Sequence, residues 1–222
     1  MKFFLVSLLM LSLIPGIKAS YPNNKQIHSF GKSDSRKVYL TFDDGYSYKN
    51  TNEIVNILIE EKVPAAFFLT GDFINDAASL VRKMKENGFI IGNHTWSHKS
   101  IKTMKIDKLK DEVDCFEKRY MEITGEYPLK VFRPPMGEYS DKTISYLTQR
   151  GYHIFFWSNT YADYSKKDMG SEYAKKMILS NLRGGDIILL HTMSKSNINA
   201  LRDIIHEVQN RGFTFSELSD FL

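Results

Sequence analysis

The sequence predicts an α/β fold, an irregular (β/α) barrel of about seven parallel strands. Three observations predict it. Short apolar runs alternate with longer amphipathic segments from residue 37 to the C-terminus, and such alternation implies parallel strands with helices packed outside them. Glycines stand just past several of the amphipathic segments, at Gly88, Gly125, Gly151 and Gly212, where helices stop. About seven strand–helix units fit the chain, which favours a barrel smaller than the eightfold one over a doubly wound sheet.

Residues 1–19 precede this domain. Lys2 is followed by an apolar run over 3–14, then Pro15 and Gly16, with Ala19 at a scissile position. This is the pattern of a secretory signal peptide, and its apolar core is too short to persist as a membrane span. Retention as an uncleaved anchor is the alternative, since Ile17 is an imperfect cleavage residue. No Cys lies near the cleavage site, which argues against a lipid anchor. Removal of residues 1–19 leaves 203 residues, suited to one domain with a substantial core. Residues 20–36 read as a polar leader and 37–222 as that domain.

The predicted strands cover 37–42, 65–70, 89–92, 130–132, 153–157 and 186–190, with a weak last strand over 213–215. Each is a short apolar run bounded by polar or turn-forming residues. The predicted helices cover 51–62, 75–87, 106–124, 141–150, 171–182 and 197–211. In the first, Ile54, Ile57 and Leu58 form an apolar face beside a solvated Glu61. No internal repeat or low-complexity tract interrupts the pattern.

The net charge of +4 falls to +2 when Lys2 and Lys18 leave with the signal segment, too small an excess to point to nucleic acid. Cys115 is the only cysteine, so no internal disulfide can form. Among helix-forming residues it reads as a small core residue rather than a nucleophile. A chain rich in Lys, Asn and Ile without a disulfide framework fits bacterial rather than eukaryotic export. The mature protein is expected to be a monomer without a membrane span.

In either α/β architecture ligands bind at the carboxyl ends of the strands. Those ends carry Asp43-Asp44-Gly45, then Asn93-His94-Thr95-Trp96-Ser97-His98, then Arg133-Pro134-Pro135-Met136-Gly137, then a loop with Asp163 and Tyr164, then His191. Each has an ordinary explanation taken alone. Asp-Asp-Gly is commonly a solvated turn, Arg-Pro-Pro a rigid turn, His191 a satisfied core histidine and Asp163 a loop acid. His94 and His98, four apart, would face one way on a helical turn and could share an ion. The combination makes chemical sense. Two imidazoles and a carboxylate leave open positions on a divalent ion. A second aspartate stays free to take a proton, an arginine holds it ionised, and a separate histidine protonates a leaving group.

These stretches together resemble the polysaccharide deacetylases that carry the NodB homology domain, carbohydrate esterase family 4, over nearly all of residues 37–222. The family's motifs stand here as Thr41-Phe42-Asp43-Asp44-Gly45, His94-Thr95-Trp96-Ser97-His98, Arg133-Pro134-Pro135-Met136-Gly137, Asp163-Tyr164 and Leu189-Leu190-His191. Within the family the chain looks most like the branch that acts on muramic acid in peptidoglycan and makes the muramic δ-lactam of spore cortex. Softer pointers to that branch lie in 41–46, 91–98, 157–164 and in His191-Thr192-Met193-Ser194, Asn197 and Ala200-Leu201.

The resemblance implies a role for each matching residue. Asp43 would be the general base, with Arg133 paired to it. Asp44, His94 and His98 would hold one divalent ion, zinc or similarly cobalt, nickel or iron. The Met136 amide N–H would help stabilise the oxyanion. His191 would be the general acid, oriented by Asp163, and Leu189 and Tyr164 would line the acetyl pocket. Tyr164 stands where a Trp is common, and Asp44 where some members of the muramic branch have Asn. The implied substrate is a glycan: peptidoglycan first, at muramic acid, with the N-acetylglucosamine of peptidoglycan, chitin oligomers, poly-N-acetylglucosamine or acetylated xylan as alternatives. A glycan-binding protein on a retired enzyme scaffold is the remaining alternative, and it should have lost one of these residues. His28, His153 and His206 fit neither the ion nor a relay and read as structural or solvent-exposed. Tyr46, Tyr48, Trp96, Tyr139 and Tyr161 share the rim, either as platforms for sugar rings or as local packing.

Overall fold

A computed structural model describes residues 24–45, 48–164 and 169–222. The expected signal peptide over 1–19, the start of the leader and Tyr46 lie outside the described residues. In chain order the elements are β1 (Ile27–His28), β2 (Lys37–Asp44), α1 (Tyr48–Glu61), β3 (Ala66–Leu69), α2 (Gly71–Asp76), α3 (Ala78–Glu86), β4 (Ile90–Asn93) and α4 (Ile106–Thr124). They continue with β5 (Val131–Phe132), α5 (Asp141–Gln149), β6 (His153–Phe155), α6 (Ser171–Ser180), β7 (Ile187–His191), α7 (Lys195–Asn210) and β8 (Thr214–Phe215). Among the described residues no helix is long and apolar enough to cross a membrane.

The strands form a curled sheet in the order β1-β6-β5-β4-β3-β2-β7, paired in parallel throughout, with β8 attached to the start of β2. Between its two edges run isolated bridges, Phe30 with Asp186 and Asn159 with Ile188. The expected irregular barrel of parallel strands is therefore present as a half-open one. Its membership differs in one strand. Residues 213–215 do pair, but off the main path, while Ile27–His28 in the leader joins the edge on β6. Two residues flanked by polar ones carry too little apolar pattern to announce a strand.

Both faces of the sheet are buried, as parallel strands require. Phe42, Phe67, Leu69 and Ile91 face outward into the core shared with the helices. Tyr39, Ala66, Phe68, Ile90, Val131, Phe155 and Ile187 fill the interior. Gly92 belongs to that inner set, and a Cβ there would lie 2.5 Å from Phe68 Cδ1. The missing side chain leaves the room that the Phe68 ring occupies.

The four helix-ending glycines have φ of 79, 79, 84 and 77°, the left-handed values a helix stop uses. The helix expected over 75–87 is instead two, broken at Ala77, and the first begins at Gly71 behind an N-cap from Thr70. Cys115 is exposed rather than a core residue. The buried stripe of α4 runs Leu109, Glu112–Val113, Phe116–Glu117, Tyr120, Ile123, and position 115 falls beside it.

Candidate active site

Asp43, next to last in β2, and His191, last in β7, are register partners across those neighbouring strands. Each is the centre of one half of the site. On the first half, Arg133 follows β5 and is fully buried. Its Nη1 donates to Asp43 Oδ1 at 2.8 Å, its Nε to the Phe155 carbonyl at 3.2 Å and its Nη2 to the Phe156 carbonyl at 3.2 Å. The guanidinium also lies 4.1 Å from the Phe68 ring centroid, a favourable cation–π placement. Burial alone would push the Asp43 carboxyl up. The charges of Arg133, His94 and His191 outweigh it and hold the group below its ordinary value.

His94 follows β4, and its Nδ1 lies 2.8 Å from the Arg133 carbonyl. A carbonyl only accepts, so Nδ1 carries the proton and Nε2 presents a lone pair. That lone pair faces Asp43 Oδ2 at 3.6 Å. The His98 ring stands 4.9 Å from that of His94. Burial holds both imidazoles neutral, His94 at about 4 and His98 below its ordinary value.

A helical turn does not bring the two rings together. Residues 94–98 form a loop, with left-handed φ of 67° at Thr95 and 55° at His98. Asn93 Oδ1 accepts the Thr95 amide at 2.8 Å, Thr95 Oγ1 accepts the His98 amide at 3.0 Å, and Glu112 Oε2 accepts the Ser97 amide at 2.7 Å. These side-chain acceptors replace the backbone bonds a helix would have made.

The donor chemistry suits a borderline divalent ion: neutral imidazoles, one with its second nitrogen anchored, next to carboxylates. Asp44 is the last residue of β2, and the Thr51 hydroxyl of α1 donates to its Oδ2. Among the described residues no three His, Cys, Asp or Glu side chains converge into a metal cluster. The histidine pair is assembled, therefore, while Asp44 is held by α1.

On the second half, Asp163 Oδ1 lies 2.7 Å from His191 Nδ1, and Asp163 Oδ2 accepts the His191 backbone N–H at 2.7 Å. Burial works against the imidazolium, but the Asp163 hydrogen bond and charge win and raise His191 above its ordinary value. Tyr164 meets the His191 ring edge-on at 5.8 Å. Leu189 shares the inward parity of His191 and is buried. Met136 is exposed, at a left-handed φ of 58° in the short 3-10 turn Pro135–Gly137.

The polysaccharide deacetylase family profile matches residues 30–155. The chain belongs to the polysaccharide deacetylase family. It is 37% identical over 193 residues to an uncharacterized 30.6 kDa protein of Geobacillus stearothermophilus, covering 86% of this chain and 73% of that one. It is 33% identical, with the same coverage, to the peptidoglycan-N-acetylmuramic acid deacetylase PdaA of Bacillus subtilis. The solved structure of Bacillus subtilis PdaA, a family 4 carbohydrate esterase, superposes with a TM-score of 0.85 at 32% identity, covering 89% of this chain and 85% of that one.

Several residues of this polysaccharide deacetylase escape sequence reasoning. Thr51, Glu112 and Asn197 join the site through hydrogen bonds to Asp44, Ser97 and Asp163; of the three, Asn197 alone carries a sequence signal, as a pointer to the muramic branch. The rim aromatics divide. Tyr161 is buried, with its hydroxyl on Asn197, and Tyr139 packs 5.3 Å from Phe156. Trp96 covers Gly71, whereas Tyr48 is 50% exposed. His28 stacks on His153 and His206 pairs with Glu61 on the surface, so these three stay outside the site.

Proposed function

We propose that this chain is an exported, metal-dependent N-deacetylase of peptidoglycan that acts on muramic acid residues. One observation carries the chemistry. Register partners Asp43 and His191 are shifted in opposite directions by their own partners, Arg133 lowering the carboxyl and Asp163 raising the imidazole. A carboxyl shifted down beside an imidazole shifted up sets a proton acceptor next to a proton donor, as hydrolysis of an amide needs.

Asp44, His94 and His98 would hold the ion. When bound it supplies a Lewis acid to the amide carbonyl and makes nearby water more acidic. Asp43 accepts the proton of the attacking water, with Arg133 fixing the carboxylate. The Met136 N–H donates to the oxygen that gains charge. His191 delivers a proton from Nε2 to the departing nitrogen while Nδ1 stays on Asp163. Leu189 and Tyr164 border the acetyl methyl. The muramic preference draws on the likeness to PdaA. On muramic acid the freed amine lies beside the lactyl carboxyl, which allows closure to a δ-lactam. Residues 1–19 would direct export and be removed, leaving a monomer that works on the wall side of the membrane.

Mass spectrometry of glycan strands before and after treatment tests this. Loss of acetyl from muramic acid is expected. Loss from glucosamine alone would overturn the muramic assignment, and no acetate from any strand would overturn the deacetylase. Asp43→Asn should abolish turnover while zinc stays bound, and an active variant would remove Asp43 from the base role.

A further inference from the structure

Asn197 sits in the first turn of α7 and is 1% exposed. Its Nδ2 donates to Asp163 Oδ2 at 2.6 Å and to the His191 carbonyl at 3.0 Å. Its Oδ1 accepts the Tyr161 hydroxyl. The orientation of the amide follows from chemistry, because a carboxylate and a carbonyl only accept, so the NH₂ end must face them.

We propose, taking His191 as the acid of the deacetylation above, that Asn197 is a positioning residue that locks the Asp163 carboxylate against the His191 imidazole. Asp163 Oδ2 is held by two donors, the Asn197 amide and the His191 backbone N–H. Fixing that oxygen aims Oδ1 at His191 Nδ1. The same Asn197 nitrogen also grips the backbone of residue 191, so one side chain ties both members of the pair into a closed ring of hydrogen bonds. Tyr161 stiffens the ring from behind. A buried polar ring in which every member is satisfied has little freedom to tilt, and a proton donor must hold its direction to within a fraction of an ångström.

Helix capping does not account for this side chain. The start of α7 is capped by Ser194, whose Oγ accepts the Asn197 backbone N–H at 3.3 Å. The amide of Asn197 is therefore spent entirely on the pair and on Tyr161.

The test uses zinc-loaded full-length mature protein and two readouts. The first is the low-field proton NMR resonance of His191 Nδ1–H, assigned by its loss in His191→Gln, which needs no substrate. The second is acetate release from N-acetylated peptidoglycan glycan strands, resolved into kcat and KM. Asn197→Ala should shift or abolish the resonance and lower kcat by about tenfold or more, with KM changed by less than about twofold. Tyr161→Phe should move both in the same direction by less. Ser194→Ala, which weakens the start of α7 without touching the pair, should lower Tm and leave resonance and kcat intact. If Asn197→Ala does not fold, the isosteric Asn197→Asp decides in its place, since it sets an acceptor against an acceptor and must displace the resonance. An unmoved resonance and a kcat within about twofold of wild type would overturn the proposal. Equal losses in Ser194→Ala would overturn it too, by making helix integrity the cause. If wild type releases no acetate, the deacetylase reading fails, and the resonance alone still decides the role of Asn197.

Discussion

Replacing Arg133 by Met should convert a stabilising buried charge into a destabilising one, and pH should reveal the change of sign. Met keeps the aliphatic stem and removes the guanidinium. Asp43 then loses its 2.8 Å partner, and the carbonyls of Phe155 and Phe156 lose donors at 3.2 Å. Breaking a buried ion pair on one side costs about 3–5 kcal/mol, and each carbonyl left dry adds about 1 kcal/mol or more. A loss of about 5 kcal/mol at neutral pH is expected, a large share of a domain's stability.

In wild type the folded-state pKa of Asp43 lies below the unfolded value of about 3.9. Its stabilisation is fully present above that unfolded value and is lost as pH falls through the folded one. Without Arg133 burial dominates and lifts the carboxyl, so the variant loses stability as pH rises from about 4 toward the lifted value. The gap between the two proteins must therefore widen with pH. Urea unfolding of chelator-treated protein from about pH 3 to about pH 7 measures it. A gap constant across that range, or smaller than about 1 kcal/mol at neutral pH, would refute the electrostatic account of this pair.

Other perturbations have definite outcomes. The His28 imidazole, 2.9 Å from His153 and packed at a tilt against Phe155, is held at about 4 by burial. The unfolded state takes up its proton first, so about 2 kcal/mol of stability, discounted for partial exposure, should disappear as pH falls from about 6.5 to 4; His28→Phe should flatten that slope in acid unfolding curves. Gly71→Ala would set a Cβ 2.2 Å from Trp96 Cδ2, costing about 1–3 kcal/mol; tryptophan emission should shift and calorimetry should show weaker zinc binding. Glu112→Ala removes the acceptor of the Ser97 amide and hydroxyl. Zinc affinity should drop about tenfold, and chelators should abolish acetate release until zinc is restored.

How far the sequence discloses this molecule depends on the range of the forces involved. Helix α4 is legible to the residue, because its apolar stripe and Gly125 stop are local signals. The break at Ala77 and the strand at Ile27–His28 are not, since both are decided by where other segments lie. The same division runs through the site. Asp43, His94, Arg133 and His191 stand at strand ends and can be found by position alone. Glu112 is 15 residues from Ser97, and Asn197 is 34 from Asp163. No spacing rule connects them: Glu112 looks like an ordinary polar residue of a helix, and Asn197 is marked only by the resemblance to the muramic branch, which gives it no partner. The histidine pair is an instructive intermediate. Its i, i+4 spacing suggests the correct partnership for an incorrect reason, since the loop is shaped by Asn93, Thr95 and Glu112 rather than by helical hydrogen bonds.

Strand parity explains why the site has two sides. Side chains alternate between the faces of a strand, and in this sheet the inner face of β2 carries Tyr39, Thr41 and Asp43 while the outer carries Phe42. Register places His191 beside Asp43 and Phe68 on its other flank. The same inward parity continues one step past β4 and β5 to His94 and Arg133. Four residues from four strands thus converge because each sits one layer above the apolar interior. Asp44 has the opposite parity, alongside Leu69, which is why Thr51 of an outer helix reaches it. Asp43 and Asp44, the last two residues of β2, therefore turn to opposite faces of the sheet. Asp43 is clamped from inside by Arg133, and Asp44 is steadied from outside by α1. Two carboxylates so close together keep different partners, and with them different chemistry, because the pleat separates what the sequence joins.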